Sequence, residues 1–171
     1  MEENQEKTKI SITLPTNAYF ISGIRDFTLN MIKNTTNFPE KWAFRFQSVV
    51  DELCNNAIEY GSSPGSDIRI TFTHKKDDYL EIAVEDTGTG KNAIKADQLK
   101  KLFEERREPG YVFTGIRGRG LAKIVGEWTD ETQFVDRAGG GLIITIRKYL
   151  KDTRQKLPNE EMSIPSKITI N

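Results

Sequence analysis

The stretch Asp51-Glu-Leu-Cys-Asn-Asn-Ala-Ile-Glu-Tyr-Gly61 decides how this chain is read. Glu52 and Asn56 stand one helical turn apart in it. The apolar stripe of the same helix runs through Trp42, Phe46, Val49, Leu53, Ala57 and Tyr60, widened by Ala43, Val50, Cys54 and Ile58. At about 100° per residue, Arg45, Glu52, Asn56 and Glu59 cluster beside that stripe, with Asn56 nearest its edge. Pro39 suits the first turn of the helix, and Gly61 and Pro64 stop it.

Working outward, Ile10, Ile12 and Leu14 alternate with polar residues and read as a strand ended by Pro15. Phe20, Ile24, Phe27 and Met31 carry helical spacing, and Asn34 to Asn37 reads as a loop. Ile68, Ile70 and Phe72, then Leu80, Ile82 and Val84, make a hairpin turning at Lys75 to Asp78. Asp86 shares the parity of Leu80, Ile82 and Val84, so its carboxylate points to the buried face and needs a partner there. From Lys91 to Arg117 the chain is charged and weakly patterned. Ala93 to Phe103 can form a short helix, Pro109-Gly110 breaks it, and few apolar residues anchor the segment. Leu121, Ile124, Val125 and Trp128 mark a helix. Thr132 to Val135 and Leu142 to Leu150 read as strands, with a simple turn at Gly139-Gly140-Gly141. The organisation expected is a flexible N-terminus over 1–8, a domain over 9–150 and a polar tail over 151–171. Cys54 and the Trp42/Phe46 stripe are core, and His74 is exposed at a hairpin end.

Bulk properties narrow the class. The 171 residues carry 25 basic and 25 acidic side chains, so no net field favours nucleic acid or anionic lipid. A single cysteine excludes an internal disulfide and fits a reducing compartment. The polar start lacks the apolar core of a signal peptide, and no apolar run approaches the roughly 20 residues that span a bilayer. A soluble cytoplasmic protein is the expectation.

Two glycine signals follow the helix, Asp86-Thr-Gly-Thr-Gly90 and Gly118-Arg-Gly120. Asp86 can accept a hydrogen bond from an exocyclic amine. Gly88 and Gly90 let backbone approach a ligand closely. Gly118 and Gly120 precede a helix whose free N–H groups suit phosphate oxygens. Asn56 offers a neutral oxygen to Mg2+, and Glu52 can polarise a hydroxyl or water beside a terminal phosphate. The pattern is neither a P-loop, because Gly90-Lys91 is followed by Asn92, nor the dinucleotide fingerprint, because Gly115 to Gly120 reverses its spacing.

These residues resemble the GHKL ATPases, the superfamily of gyrase B subunits, histidine kinase catalytic domains and related chaperones. Glu52 to Gly61 looks like the N box, Asp86 to Gly90 the G1 box, and Arg117-Gly-Arg-Gly-Leu-Ala-Lys-Ile124 the G2 box, with an ATP lid between. Within the superfamily the chain is most similar to bacterial anti-sigma-factor serine/threonine kinases. The resemblance implies a two-layer α/β sandwich, its mixed, mostly antiparallel sheet covered on one face by helices. It implies ATP or ADP with Mg2+ as cofactors and Glu52 as catalytic base. Asn56 would bind the metal, and Asp86, Gly88, Gly90, Arg117, Gly118, Arg119, Gly120 and Leu121 would line the nucleotide site. Leu142 and Ile143 stand where members often carry Thr, so that contact is lost or passes to water. The implied partners are a sigma factor, an anti-sigma-factor antagonist and a second copy of the chain. The alternatives are a catalytically silent nucleotide-binding module and a histidine kinase catalytic domain acting in trans.

Overall fold

A computed structural model describes residues 6–109 and 120–154. Five strands form one sheet: β1 (Lys7–Pro15), β2 (Asp67–Lys75), β3 (Tyr79–Glu85), β4 (Glu131–Asp136) and β5 (Leu142–Tyr149). Their order is β1-β2-β3-β5-β4, and all four pairings are antiparallel. β1 begins at Lys7, inside the stretch read as a flexible N-terminus, because Lys7 and Thr8 pair with Lys75 and His74.

Strand alternation sets the two faces. Ile70, Phe72, Leu80, Ile82, Val84, Ile144 and Ile146 point to one side and are buried there. Register aligns them in rows such as Phe72–Ile82–Ile146. The opposite face carries polar cross-strand contacts, among them Arg147 to Glu81 at 2.6 Å and to Glu131 at 3.4 Å. Lys148 has the inward parity but lies at the end of its strand. It pairs with Asp130 at 2.8 Å and lies over the Trp42 ring.

The helical layer is built from α1 (Ile21–Thr35) and α2 (Glu40–Asn56), which form an antiparallel hairpin on the apolar face. Phe46, Val49 and Leu53 are wholly buried, each worth roughly 1.5–3 kcal/mol of transfer free energy. Part of the expected loop at Asn34 is helical. Asn30, Asn34 and Thr35 return their side chains to the carbonyls four residues back, which carries α1 to Thr35. α2 ends in a π-helical turn, Ala57–Gly61, closed by the Ser62 amide donating to the Ala57 carbonyl.

α3 (Ala96–Arg107) corrects the picture of a weakly anchored segment over its own residues, while 110–117 lie outside the described residues. Ala96, Leu99 and Phe103 are buried, Phe103 meets Phe134 edge-on, and the Asp136 carboxylate accepts the Ala96 amide at 2.9 Å. Three apolar residues at helical spacing are enough to dock a helix on a neighbouring strand. A second π-helical turn (Leu121–Val125) leads into α4 (Gly126–Trp128), and α5 (Lys151–Arg154) follows the sheet. His74 is half-buried rather than exposed. It shares the inward parity of Ile70 and Phe72, and burial lowers its proton affinity. No described helix is long and apolar enough to cross a membrane.

Candidate functional site

The sheet end that holds the C-terminus of β3 and the start of β5 meets the C-terminal turn of α2. Three contacts bring them together. Gly61 lies so close to Asp86 that a Cβ there would overlap the carboxylate. Gly90 N–H donates to the Gly61 carbonyl at 3.2 Å, and a Cβ at Gly90 would run into the Tyr60 carbonyl. The Ser62 hydroxyl accepts the Thr87 amide at 2.9 Å. The Asp51–Gly61 and Asp86–Gly90 segments thus form one structural unit.

Asp86 is 4 % exposed, as its parity requires. Its Oδ1 accepts the Gly88 amide at 2.9 Å and the Leu142 amide at 3.1 Å. The Leu142 donor is a backbone amide that any residue but proline supplies, so the carboxylate keeps this support without Thr there. The glycine turn after β4 is more than a turn. Gly139, Gly140 and Gly141 have φ of 87°, 109° and 97°, a region costly for side chains. A Cβ on Gly141 would collide with the Asp86 carbonyl, and one on Gly88 would collide with Gly141. Arg137 donates to the same carbonyl at 3.3 Å. Sequence reasoning missed Gly141 and Arg137. Three consecutive glycines facing a buried aspartate were the available signal.

Glu52 and Asn56 lie on the flank of α2. Asn56 is 4 % exposed, and its Oδ1 is buried without a hydrogen-bond partner among the described residues. Glu52 reaches the segment that enters the second π-helical turn. Its carboxylate accepts the Leu121 amide, and a Cβ at Gly120 would overlap it. Burial raises the proton affinity of Glu52 and the nearby Glu59 charge adds to that, while the Leu121 amide pulls the other way. Leu121 is wholly buried, and its amide is the group that meets Glu52. Arg117, Gly118 and Arg119 lie outside the described residues. A separate cleft of about 270 Å3 beside Asn34, Asn37, His74 and Lys76 contains none of these residues and opens at the other end of β2.

Residues 43–153 match the histidine kinase-, DNA gyrase B-, and HSP90-like ATPase family. The chain belongs to that family. No relative was found among curated proteins. Membership supports binding of ATP, which members usually take with Mg2+. The residues fit such a cation in one respect that the structure itself provides, the unpartnered Asn56 oxygen. No cluster of three His, Cys, Asp or Glu suited to a metal occurs among the described residues. A cation at Asn56 would therefore take most of its oxygens from phosphates and water, the usual habit of Mg2+. When bound, it would neutralise phosphate charge.

Proposed function

We propose that the chain is an anti-sigma factor of the partner-switching type. It binds ATP, holds a sigma factor, and phosphorylates a serine or threonine of a small antagonist protein in the cytoplasm. In this reading Asp86 accepts the adenine amine and Asn56 holds Mg2+. Gly88, Gly90, Arg117, Gly118, Arg119, Gly120 and Leu121 shape the phosphate path. Glu52 takes the proton from the acceptor hydroxyl. The observation that carries the reading is the placement of Glu52. It lies one turn before Asn56, in a desolvated position that raises its affinity for a proton.

One observation favours the silent binding module. The Leu121 amide already engages the Glu52 carboxylate at the start of the helical segment where phosphate oxygens would seat. Incubation of the chain with labelled ATP, Mg2+ and candidate antagonist proteins decides between them. A labelled product stable in acid and cleaved by alkali supports the serine/threonine kinase. An acid-labile product indicates histidine transfer, and nucleotide binding without transfer to any antagonist supports the silent module.

The same reading includes a homodimer. β1 is an edge strand, and Ile10, Ile12 and Leu14 on it are only partly buried. Light scattering at tens of micromolar should give twice the chain mass. A monomer there removes this element of the proposal.

A further inference from the structure

Ser62 belongs to none of the segments that carry the nucleotide reading, yet it is 3 % exposed and saturated with contacts. Its Oγ accepts the Thr87 amide at 2.9 Å and the Thr87 hydroxyl at 3.0 Å. Its own hydroxyl faces the Asp67 carbonyl at 3.5 Å, and its amide closes the turn at the end of α2. Thr87 follows Asp86 directly and lies beyond the end of β3, so no strand partner fixes it. One buried oxygen therefore ties α2 to the residue next to the buried carboxylate. On the other side, the Leu142 amide pulls the Asp86 Oδ1 toward β5.

A wider hydroxyl network backs this tie. Thr87 Oγ1 lies 2.8 Å from Thr89 Oγ1 and 3.3 Å from Ser66 Oγ. Thr89 Oγ1 accepts the Ser63 amide at 3.0 Å. Ser62 is the fully buried member, and it alone reaches the backbone of Thr87. Hydrogen bonds to a ligand amine tolerate only a few tenths of an ångström in length. The Thr87 tie is the α2-side anchor of the Asp86 backbone, opposite the Leu142 pair on β5, so its loss leaves the carboxylate anchored from one side only.

We infer that Ser62 is a positioning residue. It sets where the Asp86 carboxylate stands against Gly61, and through that it governs discrimination of adenine from bases lacking the exocyclic amine. The inference rests on the reading of Asp86 as the adenine acceptor.

The test compares ATP with inosine triphosphate, whose ring carries a carbonyl in place of the amine, by titration calorimetry on the full chain. Wild type should prefer ATP. Ser62→Ala should weaken ATP binding about 10-fold and leave inosine triphosphate nearly unchanged, the loss expected for one misplaced hydrogen bond. Ser62→Cys, which fills the site but accepts poorly, should do the same and decides the matter alone if the alanine variant does not fold. Parallel loss for both nucleotides means Ser62 only supports the scaffold, and that overturns the inference. Unchanged affinities in both variants overturn it as well. A wild type that binds neither nucleotide at millimolar concentration defeats the nucleotide reading itself. One that binds both equally defeats the role given to Asp86 and, with it, that given to Ser62.

Discussion

Asp86 and Asn56 are equally buried, at 4 % exposure, but the protein treats their oxygens in opposite ways. Asp86 Oδ1 receives two backbone amides, and the loop around it is laced by Ser62, Thr87 and Thr89. Asn56 Oδ1 receives no hydrogen bond among the described residues, and Glu52 beside it is desolvated with Glu59 repelling it. A buried acceptor left unpaired costs about 1–3 kcal/mol. The fold tolerates that cost at one end of the site and avoids it at the other. In the proposed reading the end that faces the base is pre-built, and the acidic end is left for a ligand to complete.

The sharpest way to break this contrast is Glu52→Gln. The amide keeps the shape but cannot take a proton, so phosphotransfer should fall about 100- to 10,000-fold with nucleotide binding intact. Radiometric transfer beside calorimetry reads both. A variant as active as wild type removes Glu52 from its role.

Gly61→Ala attacks the pre-built end. The new Cβ would overlap the Asp86 carboxylate, so the pocket must shift as a whole. Nucleotide affinity should drop about 100-fold, and a thermal shift with ATP should vanish, an effect in the range of a severe steric substitution. Retained affinity would mean the contact between α2 and Asp86 is incidental.

Asn56→Ala should separate the two ends. Loss of the unpartnered Asn56 oxygen should weaken Mg2+-supported ATP binding about 10- to 100-fold. Binding of ATP in chelator should change little. Equal losses in both conditions would deny the cation role.

A smaller effect concerns Asp51, next to Glu52. Burial pushes its carboxyl up to about 6, against the pull of Arg25 at 3.0 Å. The folded state thus holds this proton more tightly than the unfolded chain. That stabilisation is complete below about pH 4 and is lost as pH rises through about 6. Urea unfolding should show wild type losing on the order of 3 kcal/mol across this window from Asp51, and Asp51→Asn should flatten the slope. A slope unchanged by the substitution would place the proton elsewhere.

Least costly is Asp136→Ala, which removes the carboxylate that accepts the Ala96 amide at the start of α3. Stability should fall by about 1 kcal/mol. Hydrogen exchange should rise across Ala96 to Phe103 and stay constant around Asp86. A rise at both would join the two regions that the comparison separates.

The sequence by itself determined the layers and the location of the site. Period-two alternation in Ile68 to Phe72 and in Leu80 to Val84 fixed which sheet face is buried. The parity of Asp86 with that face placed its carboxylate inside before any contact was known. The stripe from Trp42 to Tyr60 placed Glu52 and Asn56 on one flank, since helical geometry is local. What only the tertiary structure decided are the couplings between segments distant in sequence. Gly141 meets Asp86, Ser62 holds Thr87, Asp136 caps α3, and Glu52 reaches Gly120 and Leu121. Each pairs residues 25 or more positions apart, and no periodicity reports such proximity. The role of α3 was hidden for the same reason: three apolar residues look sparse until β4 is known to lie beneath them. Asn56 was legible as a candidate ligand from its residue type alone. That its oxygen is left unsatisfied followed only from the packing, because a missing hydrogen bond is a property of the surroundings.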